Sequence, residues 1–190
     1  MKVLVACEFS GTVRDAFLRR GHNAVSCDLL PTESPGPHIQ GDVRKQLNCA
    51  WDLIIAHPPC TRLCNSGVRW LRERDLWEDM IKAAVFFRTL LTEGPCERRC
   101  IENPIMHRYA RLIIGQEPDQ IIQPWMFGHG ETKATCLWTV NLRPLKPTNI
   151  VGGREARIHK MPPSSDRGKL RSITYPGVAD AMAALWGEGY

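Results

Sequence analysis

The sequence predicts an α/β fold in which a mostly parallel sheet carries helices on both faces. Short runs rich in Val, Leu, Ile and Ala recur at residues 2–7, 22–27, 51–56 and 98–102. Segments with helical apolar spacing stand between them. Pro, Gly or acidic residues punctuate most of the changeovers. Parallel strands buried on both faces read as continuous apolar runs, and strands that alternate with helices imply such a sheet.

The first strand is residues 2–7, Lys-Val-Leu-Val-Ala-Cys. Ser10-Gly11-Thr12 is a turn and helix start, and Val13, Ala16, Phe17 and Leu18 give the next segment its apolar stripe. Arg19-Arg20-Gly21 closes that helix, since basic residues and a glycine suit a C-terminus. The second strand, 22–27, runs into Asp28, and the proline-rich stretch 29–40 reads as a loop. Pro58-Pro59 ends the third strand, 51–56. Residues 68–91 carry one helical stripe, through Trp70, Leu71, Trp77, Met80, Ala84 and Phe87, up to the break at Glu93-Gly94-Pro95. Strand 98–102 stops at Asn103-Pro104, and a short helix covers 105–115. Two strands, 120–126 and 134–140, flank the turn Gly128-His129-Gly130. Residues 142–166 hold prolines, glycines and cations without periodicity, and 176–186 form a closing helix. The chain reads as one domain over 1–190.

Of the 190 residues, 43% are hydrophobic and 24% charged, enough for a core and unlike a disordered chain. The net charge of +5 suits a polyanion such as nucleic acid without demanding one. The N-terminal residues do not read as a secretory signal, and no apolar run approaches the roughly 20 residues of a membrane span. The eight cysteines are therefore expected as reduced thiols in a cytoplasm.

Ligands of open parallel sheets bind beyond the carboxyl ends of the strands, so the residues after each strand are the candidates. The first loop is Cys7-Glu8-Phe9-Ser10-Gly11, where Gly11 permits close backbone approach and the next helix offers free N–H groups. Asp28 stands where an acid grips ribose hydroxyls. These residues suit a nucleoside-containing cofactor, and they equally suit a plain turn with a surface acid. In His57-Pro58-Pro59-Cys60, two prolines fix the backbone and hold a thiol rigidly at the sheet edge. A lone cysteine is more often an inert buried thiol; this setting points instead to a nucleophile. Cys64 is its rival, expected to be carried away as the loop turns into a helix. Glu102-Asn103-Pro104 places a carboxyl at a third tip, where an acid could protonate a pyrimidine nitrogen as a thiol adds to the ring.

In this order, the loops resemble the cytosine-specific, carbon-5 DNA methyltransferases. Phe9-Ser10-Gly11 is similar to the family's Phe-x-Gly loop for S-adenosylmethionine, Asp28 to the acid after the second strand, and Asp42 to the residue that contacts adenine. Pro58-Pro59-Cys60 matches the catalytic Pro-Pro-Cys, and Glu102-Asn103-Pro104 echoes Glu-Asn-Val. Tyr175-Pro176-Gly177-Val178-Ala179 resembles the segment that leads into the last helix. The resemblance implies a Rossmann-like S-adenosylmethionine-dependent methyltransferase fold. It implies that Cys7, Glu8, Phe9, Gly11, Asp28, Asp42 and Pro58 hold the cofactor, and that Cys60 and Glu102 are catalytic. Pro59, Arg62, Asn103 and Lys133 would meet the substrate, DNA that is duplex or single-stranded. The form resembles compact chains of phages and prophages, which implies a bacterial or phage-infected cytoplasm.

Three departures stand out. Thr12-Val13-Arg14 replaces the family's glycine pair, and Lys133 is the only cation where paired arginines are expected. Residues 149–170, with Arg154, Arg157, His159, Lys160, Arg167 and Lys169, stand in place of a large target-recognition region. A segment that short suits phosphates better than base edges, so a nucleotide or single-stranded acceptor is an alternative. A catalytically idle nucleic-acid-binding module is another. Amino-group methyltransferases place an aromatic residue where Cys60 stands. The pairs Cys60/Cys64 and Cys96/Cys100 lack the usual two-residue zinc spacing, so no metal is expected. No G-x-S-x-G hydrolase motif is present.

Overall fold

A computed structural model of the chain describes residues 1–188. Seven strands form one sheet in the order β3-β2-β1-β4-β5-β7-β6. They are β1 (Lys2–Ala6), β2 (Asn23–Asp28), β3 (His38–Gln40), β4 (Leu53–Ala56), β5 (Arg99–Pro104), β6 (Gln120–Ile122) and β7 (Thr135–Val140). The first five pair in parallel with one another, and β7 runs antiparallel to both β5 and β6. The helices are α1 (Thr12–Arg19), α2 (Val68–Glu73), α3 (Trp77–Thr92), α4 (Arg108–Ile114), α5 (Arg157–Lys160), α6 (Arg167–Ser172) and α7 (Pro176–Gly187). This is a Rossmann-like α/β fold.

The pleat of the strands sorts the core into two layers. Leu4, Ala6, Ile54, Ala56 and Ile101 face α3, where Ala84 and Phe87 cover them. Val3, Val5, Leu53, Ile55 and Cys100 face α1 and α7, meeting Val13, Phe17, Met182 and Trp186. Phe87 and Trp138 meet edge to face at 4.9 Å between ring centroids, a favoured aromatic geometry.

The structure differs from the expectation in three places. Residues 38–40, expected as loop, form β3 and pair with Ser26–Asp28. Three residues after a proline-rich run carry no period to read. The stripe over 68–91 belongs to two helices, broken at Asp75, whose φ of 48° leaves the right-handed region. The apolar spacing runs through the break and hides it. Expected strand 120–126 stops at Ile122, because Pro124 cannot donate to the ladder and opens a 3-10 turn over Pro124–Met126. Within the irregular stretch lies the short α5, and α6 follows directly after it. Among the described residues no helix is long and apolar enough to cross a membrane.

Candidate active site

The β1–α1 junction is shaped by a carboxylate and a guanidinium. Glu8 is buried, and its two oxygens accept the N–H groups of Val13 at 2.6 Å and Arg14 at 3.2 Å. It therefore caps α1 and takes the helix end where a pyrophosphate sits in dinucleotide-binding folds. Burial pushes the Glu8 carboxyl up, while the charge of His57 and the two N–H bonds pull it part of the way back. Arg14 is wholly buried. Its guanidinium binds Ser26 Oγ at 3.1 Å, Thr32 Oγ1 at 3.2 Å and the carbonyls of Ser34 and Pro35 at 3.0 and 3.3 Å. Gly11 has φ 74°, and a Cβ there would lie 2.4 Å from Arg14 Nη2. So Gly11 serves the arginine as much as any ligand.

Beside this junction lies a cavity of about 350 Å³ lined by Cys7, Asp28, Leu29, Asp42, Pro59 and Phe86 among others. The β2–β3 pairing sets Asp28 opposite Gln40, which brings Asp42 to the same rim. Asp42 is paired with Arg44, whose hydrogen bonds hold the carboxyl below the usual carboxylate range. Asp28 accepts the Leu30 N–H through Oδ1 at 2.9 Å. Cys7 turns through a φ of 56°, and burial, with the charges of Asp28 and Asp42, raises its thiol far above the ordinary range. Leu29, Pro59 and Phe86 supply flat apolar walls. The only cation on the lining, Arg44, is committed to Asp42. Such a set, with its one cation already paired to a carboxylate, fits an uncharged nucleoside better than a phosphate. Of the cofactor residues named above, Cys7, Asp28 and Asp42 line this cavity; Glu8 and Phe9 line a smaller neighbouring one, and Pro58 is buried. Pattern reading missed Phe86, which sits on a stripe that reads as core, and Leu29, which sits in a loop.

The β4 and β5 tips carry the reactive groups. Ala56 pairs with Ile101, so His57 and Glu102 stand abreast. Their side chains meet, His57 Nδ1 donating to Glu102 Oε2 at 3.2 Å. Burial raises the Glu102 carboxyl, but the hydrogen bond and charge of His57 and the charge of Lys133 outweigh it and leave the group below its ordinary value. Beyond Pro58-Pro59 the chain turns back, with the Leu63 and Cys64 N–H groups on the Cys60 carbonyl at 2.9 and 3.0 Å. Cys60 is half-buried and Cys64 is buried. The turn does not carry Cys64 away as expected: the two thiols share a hydrogen bond. Ser66 Oγ at 3.1 Å and the N–H groups of Ser66 and Gly67 complete the shell around Cys64. That shell pulls Cys64 down to about 5, against its burial, and the same bond, with burial and the charges of Cys64 and Glu102, pushes Cys60 up.

The remaining candidates fall in different places. Lys133 acts electrostatically on both Cys60 and Glu102, but its amine is tied to the carbonyls of Arg171 at 2.7 Å and Ile173 at 3.4 Å. Pro59 is exposed on the cavity rim. Arg62 pairs with Asp79 at 3.5 Å. Asn103 is wholly buried, with both side-chain polar atoms lacking a partner among the described residues. In the basic segment, Arg157 pairs with Glu131, Lys169 with Glu33, and Arg154 stacks on Trp125 at 3.6 Å. Among the described residues no group of three or more His, Cys, Asp or Glu is placed to hold a metal ion. Cys96 and Cys100 are buried in the core, as small apolar side chains.

No family model matches this chain, and no curated protein sequence matches it. Among solved structures it is similar to a protein described as a DNA modification methyltransferase encoded within an E. coli prophage, at 12% identity and TM-score 0.47, over 80% of this chain and 52% of the other. It is also similar to the methyltransferase EhMeth of Entamoeba histolytica, at 16% identity and TM-score 0.49, over 82% of this chain and 57% of that one. The chain thus spans little more than half the length of either.

Proposed function

We propose that the protein is a DNA cytosine-5 methyltransferase that uses S-adenosylmethionine. The observation that carries this reading is the adjacency of Cys60, on the β4 tip, and Glu102, on the β5 tip, beside a nucleoside-sized cavity whose wall includes Pro59. Asp28, Asp42, Leu29 and Phe86 would hold the adenosine, and the bound cofactor supplies the methyl group. A cytosine enters with its base out of any stack, as chemistry on a base requires. The Cys60 sulfur adds to carbon 6, and its proton has a near acceptor in Cys64. Glu102 gives a proton to ring nitrogen 3, which leaves carbon 5 electron-rich. After methyl transfer a base removes the carbon-5 proton and the thiolate leaves. Lys133 offsets the negative charge of Glu102 and of the thiolate, and positions the 171–173 backbone over the site.

A second reading keeps the chemistry and changes the acceptor. The pairing of Arg157 and Lys169 and the stacking of Arg154 leave few cations of the basic segment for a duplex backbone, and phosphate contacts dominate duplex affinity. This favours a single strand or a cytosine nucleotide. Incubation with labelled S-adenosylmethionine and duplex DNA, single-stranded DNA or deoxycytidine nucleotide, then nucleoside mass analysis, decides both. The expected product is 5-methylcytosine, absent with Cys60→Ser. Methyl transfer that survives Cys60→Ser in full overturns the reading.

A further inference from the structure

We propose that His57 is a positioning residue that relays a proton to Glu102, drawing it through a water-sized cavity beside the imidazole. The inference rests on the methyltransferase reading above and goes beyond it, because that chemistry needs only Glu102.

Three geometric facts carry it. Nδ1 of His57 donates to Glu102 Oε2 at 3.2 Å, which fixes one ring nitrogen on the carboxylate. The imidazole is more than nine-tenths buried, at 8% side-chain exposure, and its Nε2 has no hydrogen-bond partner among the described residues. A buried ring nitrogen is ordinarily satisfied, so its surroundings matter. Beside it lies a cavity of about 30 Å³ lined by Glu8, Phe9, Ser10, His57, Ile173 and Thr174 among others. That volume holds one water, and Ser10 and Glu8 give polar partners for it. The imidazole therefore meets the carboxylate of Glu102 through Nδ1 and also forms part of the wall of a polar, water-sized site.

The chemistry gives this bridge a task. Glu102 is held below the ordinary carboxylate range by His57 and Lys133, so it enters a cycle ionised, although its role requires a proton. In the relay the Nδ1–H bond breaks and an O–H bond forms on Glu102, while Nε2 gains a proton passed through the water by the carboxyl of Glu8, which burial raises and which is left as the carboxylate. Glu102 then protonates ring nitrogen 3 as the Cys60 sulfur adds. On elimination the nitrogen returns that proton to Glu102 and the path runs backward, so His57 gains and loses none per turnover. The charged or titratable groups around the ring are Glu102 from β5 and Glu8 and Cys7 from the β1 loop; Lys133, before β7, acts through Glu102.

His57→Gln tests it, since the amide still donates to Glu102 but carries no proton onward. At pH 7.5 we expect kcat to fall about tenfold to a hundredfold, within the range for general acid–base groups, with KM for S-adenosylmethionine unchanged. The loss should shrink as pH falls, because Glu102 then takes its proton from solvent. A variant whose pH profile matches the wild type after scaling overturns the relay, and so does unchanged kcat. Independently of turnover, the carboxyl ¹³C resonance of Glu102 should titrate higher in His57→Gln, because the imidazole that holds the carboxyl down is gone. A midpoint that does not move overturns the proposal even where no acceptor is methylated. Wild-type protein that methylates no cytosine acceptor, with that midpoint still shifting, overturns the methyltransferase reading and the catalytic use of the relay, while leaving the His57–Glu102 coupling established.

Discussion

The thiols of Cys60 and Cys64, four residues apart on a loop that curls back on itself, act directly on one another's titration. The pair holds one negative charge more easily than two, and the donors around Cys64 draw it there.

Cys64→Ala removes both the hydrogen bond and the repelling charge. The pH midpoint for alkylation of Cys60 by iodoacetamide is then expected to drop toward the ordinary thiol value of about 8.5. Methyl transfer should nevertheless slow about tenfold, because the Cys60 proton loses its near acceptor. An unchanged alkylation midpoint would show that the two sulfurs titrate independently.

Arg14→Met leaves the Ser34 and Pro35 carbonyls and two hydroxyls without their buried partner. Removing one side of a buried polar network is expected to destabilise by about 3–5 kcal/mol, read from urea unfolding. Gly36→Ala should destabilise too, since a Cβ there would lie 2.8 Å from Arg14 Cζ.

Asp28→Ala and Phe86→Ala each take one wall from the larger cavity. Calorimetry should show S-adenosylhomocysteine binding about tenfold weaker in either, which is roughly 1.4 kcal/mol, with the unfolding midpoint close to wild type. Nicotinamide dinucleotide should bind to neither variant nor wild type, because Glu8 already occupies the helix end that its pyrophosphate needs. Detectable dinucleotide binding would refute that assignment of Glu8.

The pH dependence of stability has a sign that Glu8 sets. Its folded-state value is raised, chiefly by burial, so the native protein holds the proton more tightly than the unfolded chain. Stability is then greatest below the ordinary glutamate value of about 4.3 and falls as pH rises toward the raised value. Glu8→Gln should flatten that fall, in urea midpoints collected across the interval. Glu102 acts in the opposite sense: its lowered value contributes stability above the ordinary range that is lost in acid.

How much of this was legible in the sequence depends on what each feature needs from the rest of the chain. β1, α1 and β2 could be read because their apolar periods are local. Cys60 and Glu102 could be found because prolines mark both strand ends. Nothing local marks β3, whose strand character comes from the β2 edge it completes. Cys64 needed the path of a loop, and a spacing of four residues does not show it curling back. His57 carried a usable signal: aligning 53–56 with 99–104 as neighbouring parallel strands puts residues 57 and 102 abreast. Arg14 carried one too, as a charge beside Val13 where a glycine was expected, yet only the folded chain shows that the 29–37 loop closes around it.

Glu102 sits on the seam where the sheet reverses direction, with β4 on one side and antiparallel β7 on the other. The larger cavity is built mostly from the other end, by β1, β2 and the residues after β3. Proteins open locally in separate cooperative pieces. A fluctuation confined to 133–140 would loosen Lys133 and the backbone beside Glu102 and leave that cavity whole. In such a state the proposed nucleoside pocket would stay intact while the proposed acid would be lost. Binding and turnover would then fail at different temperatures, turnover first.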